Sequence, residues 1–378
     1  MRQALDDLLV LDFSRVLAGP LATMILGDLG ARVVKVERPG VGDDTRQWGP
    51  PYDERGEATY FQAVNRNKDT VVLDLATEAG VAEARALAAR ADVVVENFRP
   101  GVMDRLGLGP DELRAARPEL VYCSITGFGS GEAGAALPGY DLLVQALGGL
   151  MSVTGEPDGE PQKVGVALVD VICGLFAAVG ILAAVRHRER TGEGQRVEVD
   201  LLSSLLAALV NQGSAFTLAG AVAGRMGNAH PSIAPYELLP TGDGDLVLAV
   251  GTDRQFAALC AVLDAPALAT DPRFTTNAAR VAHRDALKAE LVARLATRPA
   301  AEWVEPLTTA RVPAGQVNDV AGAFALADRL GLDPTVAIPR DDGTAATLTR
   351  NPIRLSATPP TYRTAPPPLP SADAQAEP

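Results

Sequence analysis

The sequence predicts an α/β fold built on a parallel sheet, followed by a second, smaller domain. Three observations carry this. Apolar runs of strand length alternate with helical patterns through the first half of the chain, and strand–helix alternation is how a parallel sheet becomes covered on its faces. A different block of strand and helix patterns begins near Gly224. The 378 residues, 47% of them hydrophobic, are enough for two cores.

Taken in order, Leu8–Phe13 reads as the first strand and Leu21–Leu29 as the first helix. Pro20 suits that helix's first position and Gly30 its stop. Strands follow at Arg32–Glu37 and Val71–Leu75, separated by a long loop, Pro39–Lys68, rich in Gly, Pro and charge. Loops of that length are usually functional. A helix within Thr77–Ala91 and strands at Asp92–Asn97 and Leu120–Ile125 come next. Val164–Val169 reads as a strand leading into an apolar helix that reaches about Arg188. After the turn Thr191–Gln195, a strand and an apolar helix occupy roughly Val197–Leu218, and Gly220–Pro240 reads as irregular. Strand Leu246–Val250 opens the second block, with helices near Arg254–Leu263, His283–Ala296 and Ala300–Thr309. The expected division is 1–200 for the large domain, 201–223 for a linker helix, 224–332 for the small domain and 333–378 for a C-terminal segment. Short apolar stretches lie near Thr335–Ile338 and Ala346–Leu348, and the Pro- and Ala-rich tail from Ser356 is expected to be disordered at its end.

Composition narrows the function. Aromatics are only 4%, so Ala, Val and Leu must build most of the core. A net charge of −13 disfavours nucleic-acid binding, which needs a positive surface to release counterions. Cys123, Cys173 and Cys260 are scattered, indicating neither a disulfide framework nor a zinc site. That usage fits a reducing compartment. The start MRQALDDLLVLDF lacks the pattern of a secretory signal, so a cytoplasmic location is expected. The apolar run Val164–Val185 carries Asp170 and three glycines, and a charge at mid-bilayer costs several kcal/mol, so it reads as buried core.

Glu37 ends the second strand, where a dinucleotide-binding fold keeps its ribose acid, but the first turn reads Ser14-Arg15-Val16-Leu17-Ala18-Gly19-Pro20 and lacks G-x-G-x-x-G. No P-loop pattern occurs either. If the protein makes thioesters, it is expected to exchange them rather than build them with ATP. Asp170 sits between apolar segments at a predicted strand-to-helix junction. There it reads either as an N-cap or as a carboxylate kept ionised by the helix N-terminus and able to attack a carbonyl. Nearby Gly174 would let a substrate approach the helix closely. Position alone leaves both readings of Asp170 open.

The segments Leu11–Pro20, Val36–Gly40, Gly42–Arg46, Asn65–Lys68, Glu96–Gly101, Gly139–Asp141, Gly165–Asp170 and Thr191–Gln195 together resemble the class III CoA-transferase family. Gly227–Tyr236 resembles most the branch that uses succinyl-CoA with dicarboxylates such as glutarate. The resemblance runs in order from Leu11 to Tyr236, and one such motif alone is weak where several in register are strong. It implies a large Rossmann-like domain, a smaller α+β domain and a dimer of interlocked rings, with the C-terminal segment returning to the large domain. It implies that CoA and acyl-CoA are substrates, that no cofactor is permanently bound and that no metal takes part. It implies that Asp170 is the nucleophile, with backbone N–H groups near it holding the oxyanion. By the same match, Val16, Ala18, Arg38, Leu73, Asn97, Phe98 and Arg105 line the CoA cleft, and Trp48, Tyr140 and Asp141 the acyl side. In an acidic protein the arginines concentrate cations where CoA phosphates must bind.

Departures sharpen the expectation. Formyl-CoA transferases of this family carry His and Gln in the first turn and a glycine-rich loop over the site. Here Arg15 and Leu17 replace the former, and Ala229-His230-Pro231 stands in the region of the latter, which argues against formyl-CoA and oxalate. Arg15 is a candidate partner for the distal carboxylate of a dicarboxylate. The family's closing Gly-x-His-Thr motif is missing from Pro366–Pro378. The alternative activity is an acyl-CoA racemase or isomerase of the same superfamily. Those members carry Gly-His-Asp where this chain has Gly139-Tyr140-Asp141, and proton abstraction needs an acid/base pair. A non-catalytic CoA-binding protein is the third reading, for which Asp170→Asn would matter little.

Overall fold

The computed structural model describes residues 2–369, which divide into two compact units. The first comprises Met1–Leu150, Lys163–Ala221 and Asp333–Pro378, and the second Met151–Gln162 and Val222–Leu332. The excursion at Met151–Gln162 has no signature in the sequence, because its Gly, Pro and acidic residues read as an ordinary loop.

The first unit is built on six strands, β1 (Leu9–Asp12), β2 (Arg32–Glu37), β3 (Lys68–Val72), β4 (Val93–Glu96), β5 (Val121–Thr126) and β6 (Arg196–Asp200). All pair in parallel in the order β3-β2-β1-β4-β5-β6, the order of a doubly wound sheet. The central strands are buried on both faces, which is why β1 and β4 read as nearly continuous apolar runs. Val10, Val33, Val93, Val95, Cys123 and Ile125 face helices α1 (Ala18–Asp28) and α8 (Leu168–Thr191). The alternate residues, Leu11, Val34, Val94 and Tyr122, face the other way, toward α3 (Glu78–Ala88), α4 (Val102–Arg105) and α5 (Pro110–Ala116). Shorter helices α2 (Thr59–Ala63), α6 (Glu132–Ala135) and α7 (Asp141–Leu147) lie between strands, and α9 (Leu201–Ala208) and α10 (Val210–Ala219) follow β6, bent by 84°.

Helix α1 begins three residues before the sequence suggests, so Pro20 is its third residue rather than its first. The missing N–H still costs nothing there, since the first four N–H groups of a helix have no internal partner. The expected strand Val164–Val169 does not form. An apolar run fits a strand or a buried helix equally well, and here α8 starts at Leu168 with Val169 buried beneath it. Among the described residues α8 is the one helix long and apolar enough to cross a membrane. Its inner face is the centre of the first unit's core.

The second unit has a three-stranded antiparallel sheet of β7 (Tyr236–Pro240), β8 (Asp245–Ala249) and β9 (Ala314–Gly315). Its helices are α11 (Asp253–Val262), α12 (Pro266–Thr270), α13 (Asn277–Ala282), α14 (Arg284–Leu295), α15 (Ala300–Thr309) and α16 (Val320–Arg329). Strand β7 lies inside the stretch expected to be irregular. It forms because β8 supplies its hydrogen bonds, a pairing invisible to local pattern. The chain then adds a hairpin, β10 (Thr335–Pro339) and β11 (Ala345–Thr349), in the first unit. The motif Asn65–Lys68 explains how this segment is held. Arg66 forms a bidentate pair with buried Asp28 at 2.9 and 2.7 Å and also donates to the Thr349 carbonyl. Asn351 joins the same Asp28 carboxylate, and Asn67 donates to the Thr361 carbonyl and accepts from the Arg363 N–H. Ser356–Leu369 is thus tied down over much of its length, and the expected disorder of the tail's end falls on 370–378, outside the described residues.

Candidate active site

Asp170 lies in the first turn of α8, but it is not the cap. The N-cap position is Ala167, and Asp170 is the third helical residue. The capping acceptor comes from α7. Asp141 Oδ1 accepts from the backbone N–H groups of Val169 and Asp170, at 2.8 and 3.2 Å. Buried Gln145 donates to Asp141 Oδ2 at 2.6 Å and accepts from the Val164 N–H with its carbonyl oxygen, fixing both segments. The cap reading of Asp170 therefore belongs to Asp141. This leaves the Asp170 carboxylate with no hydrogen-bond or ion-pair partner among the described residues.

That freedom has an electrostatic consequence. The expected stabilisation by the helix N-terminus is taken up by Asp141. Burial, followed by the charge of Asp141, pushes Asp170 up to about 7. A carboxylate with no partner, half-buried and poised to ionise near neutrality, suits a nucleophile.

Tyr60, which the sequence reading missed, is part of this site. Its phenol is held above its ordinary value by burial and then by Asp170, Asp141 and Asp43, so it stays protonated beside those carboxylates. Trp48 packs edge-on against Tyr60 with ring centroids 5.5 Å apart. Both come from the long loop between β2 and β3, whose length was the only signal. Tyr140 precedes α7 and is 65% exposed.

The turn after β1 is shaped from below by buried charge. Lys35 on β2 pairs with Asp43 at 3.0 Å and donates to the Ser14 carbonyl. Asp43 accepts from the Val16 N–H at 3.2 Å, and Val16 is held at φ 70°, a left-handed conformation costly for a β-branched residue. Asp12 sits beneath, bonded to Ser14, Thr23 and Lys68. Asn97, just past β4, clamps Arg15 by both its N–H and its carbonyl, at 2.8 and 2.7 Å. The Arg15 guanidinium lies 4.7 Å from the centre of the Phe98 ring. Arg38 pairs with Asp44, and Glu37, the candidate ribose acid, is committed to Arg46 and the Asp43 N–H.

Arg15, Val16, Arg38, Asn97 and Phe98 thus form one cluster, and Trp48, Asp141 and Asp170 gather with Tyr60. Leu17 and Ala18 continue the turn into α1. Arg105 is exposed at the end of α4. Leu73 is buried in the sheet core. Gly174 corrects another expectation. A Cβ there would come within 2.6 Å of the Ala18 carbonyl, so its smallness serves the close approach of α1, not of a substrate. His230 belongs to the second unit, where its Nδ1 accepts from the Ser232 N–H and Arg284 holds its carbonyl at 2.7 Å.

Comparison with known proteins gives this geometry its family. The sequence matches CoA-transferase family III across residues 5–373. It is 43% identical to the succinate–glutarate CoA-transferase of Agrobacterium fabrum, covering 98% of this chain and 94% of that protein. It is 46% identical to the acetyl-CoA:oxalate CoA-transferase of Acetobacter aceti, covering 84% and 82%. The crystal structure of a CAIB/BAIF family protein from Brucella suis superposes with a TM-score of 0.86 at 43% identity, covering 98% and 97% of the two chains. The chain belongs to CoA-transferase family III and is an enzyme that transfers CoA.

Proposed function

We propose that this enzyme moves CoA from an acyl-CoA donor, succinyl-CoA first among them, to a dicarboxylic acid through a covalent intermediate on Asp170. The observation that carries the reading is the unpartnered Asp170 carboxylate beside Tyr60 and Asp141. The carboxylate attacks the thioester carbonyl, CoA leaves as thiolate, and a mixed anhydride forms. The thiolate attacks the Asp170 carbonyl and releases the donor acid, leaving an aspartyl-CoA thioester. The acceptor carboxylate then attacks that thioester, and the returning thiolate takes the new acyl group and frees Asp170. One thioester replaces another, so no ATP is needed. Holding the parts together supplies about 7–11 kcal/mol of proximity advantage.

The oxyanion cannot draw on the N–H groups of Val169 and Asp170, which Asp141 occupies. The protonated Tyr60 hydroxyl supports the reading as the available donor. Relatives named for succinate, glutarate and oxalate support a dicarboxylate acceptor. The three free, buried cysteines support a reducing, cytoplasmic setting. A homodimer is supported by Leu175, Phe176 and Val179, which leave an exposed apolar stripe on α8.

The test is incubation with succinyl-CoA followed by mass analysis of the enzyme, alongside a screen of carboxylic acids for new thioesters. Wild type should carry a CoA or acyl adduct on Asp170, and Asp170→Asn should carry none and lose transfer. Normal turnover by Asp170→Asn ends the mechanism.

A further inference from the structure

Helix α2 carries Tyr60 but has little of its own to hold it. It is five residues long, and its N-cap, Ala58, offers no side-chain acceptor. A helix this short is not stable by itself, so its ties to the rest of the protein decide where it stands. Those ties come from the C-terminal segment. Arg340 follows β10 directly, and its side chain is only 9% exposed. It donates to Asp53 Oδ2 at 2.8 Å and to Gln62 Oε1. Asp53 Oδ1 accepts from the Arg55 and Glu57 N–H groups, at 3.0 and 2.9 Å, and so closes the turn that leads into α2. Gln62 is buried and donates to the Glu57 carbonyl at 3.4 Å. Arg55 adds an ion pair to Asp342, in the turn between β10 and β11, at 3.1 Å. The Arg46 guanidinium lies 3.6 Å from the centre of the Phe61 ring and donates to Glu37 and to the Pro367 carbonyl. The two residues after Tyr60 are therefore buried and gripped by the C-terminal segment, directly at Gln62 and through Arg46 at Phe61. Tyr60 itself is partly exposed, beside Asp170.

We propose that Arg340 is a positioning residue for CoA transfer: by tying Asp53 to Gln62 it fixes α2, and with it the Tyr60 hydroxyl beside Asp170. This rests on the reading of Tyr60 as the oxyanion donor and deepens it. A guanidinium suits the task, because Nη2 carries two N–H groups in a fixed plane, one for the Asp53 carboxylate and one for the Gln62 amide oxygen. The donor must meet an oxyanion that forms only as the thioester is attacked, and a misplacement of about 1 Å costs about 10²-fold in rate. Among the described residues, no hydrogen bond or ion pair of Arg340 involves the turn after β1, α7 or α8. Its loss should therefore slow the chemical step and leave the binding of acyl-CoA alone.

Steady-state transfer from succinyl-CoA to glutarate by wild type, Tyr60→Phe, Arg340→Gln and the double variant tests this, with a thermal melt of each. Tyr60→Phe should lose about 10²-fold in kcat, as removal of one oxyanion donor does. Arg340→Gln should lose about tenfold in kcat with the KM for succinyl-CoA unchanged, and almost nothing more in the Tyr60→Phe background. Arg340→Lys should recover part of the rate, as a point charge does. Gln62→Met keeps the buried volume but removes the acceptor. It should show the same kcat loss and the same masking by Tyr60→Phe, and it carries the test if the melt shows Arg340→Gln unfolded. A kcat loss as large in the Tyr60→Phe background as in wild type marks a merely structural role and overturns the proposal. So does a wild-type kcat in Arg340→Gln where Tyr60→Phe is impaired. A wild-type kcat in Tyr60→Phe overturns the donor reading itself and this proposal with it, a result distinct from the other two.

Discussion

At the scale of single residues, the site turns on which carboxylate receives the helix N–H groups. Asp141 takes them and Asp170 goes without, so burial and its neighbour raise Asp170 to about 7. The covalent step needs the ionised form, so kcat/KM should climb as pH rises through about 7. Asp141→Asn keeps an acceptor for the cap but removes the charge, and should move that rise to lower pH in a pH–rate profile. The same shift has a stability sign. A carboxyl whose folded pKa lies above its unfolded value holds its proton more tightly when folded, so stability is present below about pH 4 and lost as pH approaches 7. Asp170→Asn should therefore raise the melting temperature at pH 8, by about 1–3 kcal/mol of stability, and change little at pH 4. Beneath the first turn the logic reverses. Lys35 and Asp43 are fully buried side chains, so Asp43→Ala leaves an unpaired ammonium. Denaturant titration should show a loss of about 3–5 kcal/mol, with the Lys35→Met/Asp43→Leu double variant losing less than the sum of its parts.

At the scale of elements, the crossing of α1 and α8 positions both halves of the site. Helix α1 carries the first turn at its start, and α8 carries Asp170. Gly174 lets the helices meet, since a Cβ would fall 2.6 Å from the backbone carbonyl of Ala18. Gly174→Ala gains about 1 kcal/mol of helix propensity but overpacks a backbone contact, a cost of about 1–3 kcal/mol. The clash should win, giving a lower denaturation midpoint and a reduced kcat as Asp170 moves away from Tyr60. The sequence showed glycine at this position and suggested ligand access, because a close helix crossing and a close ligand call for the same residue.

At the scale of the whole molecule, the apolar outer stripe of α8 is the strongest pointer to self-association. Leu175, Phe176 and Val179 are each between 45 and 63% exposed on a helix whose opposite face is core. Light scattering should give twice the mass of one chain, and Phe176→Glu should yield monomers. A monomeric wild type removes this support.

Much of the fold was legible because parallel strands buried on both faces are largely apolar, as Leu9–Leu11 of β1 and Val93–Val95 of β4 are. Composition disfavoured nucleic acid, and motifs in register named the family. What the sequence left open were distinctions that local pattern does not contain. It could not say whether Val164–Val169 pairs as a strand, whether Tyr60 reaches the nucleophile, or what Asn65–Lys68 holds. Above all it could not tell a cap from a nucleophile at Asp170. Tertiary structure decided that, by starting α8 at Leu168 and by bringing Asp141 from 29 positions earlier to accept from the first-turn N–H groups, which leaves Asp170 inside the helix rather than at its cap.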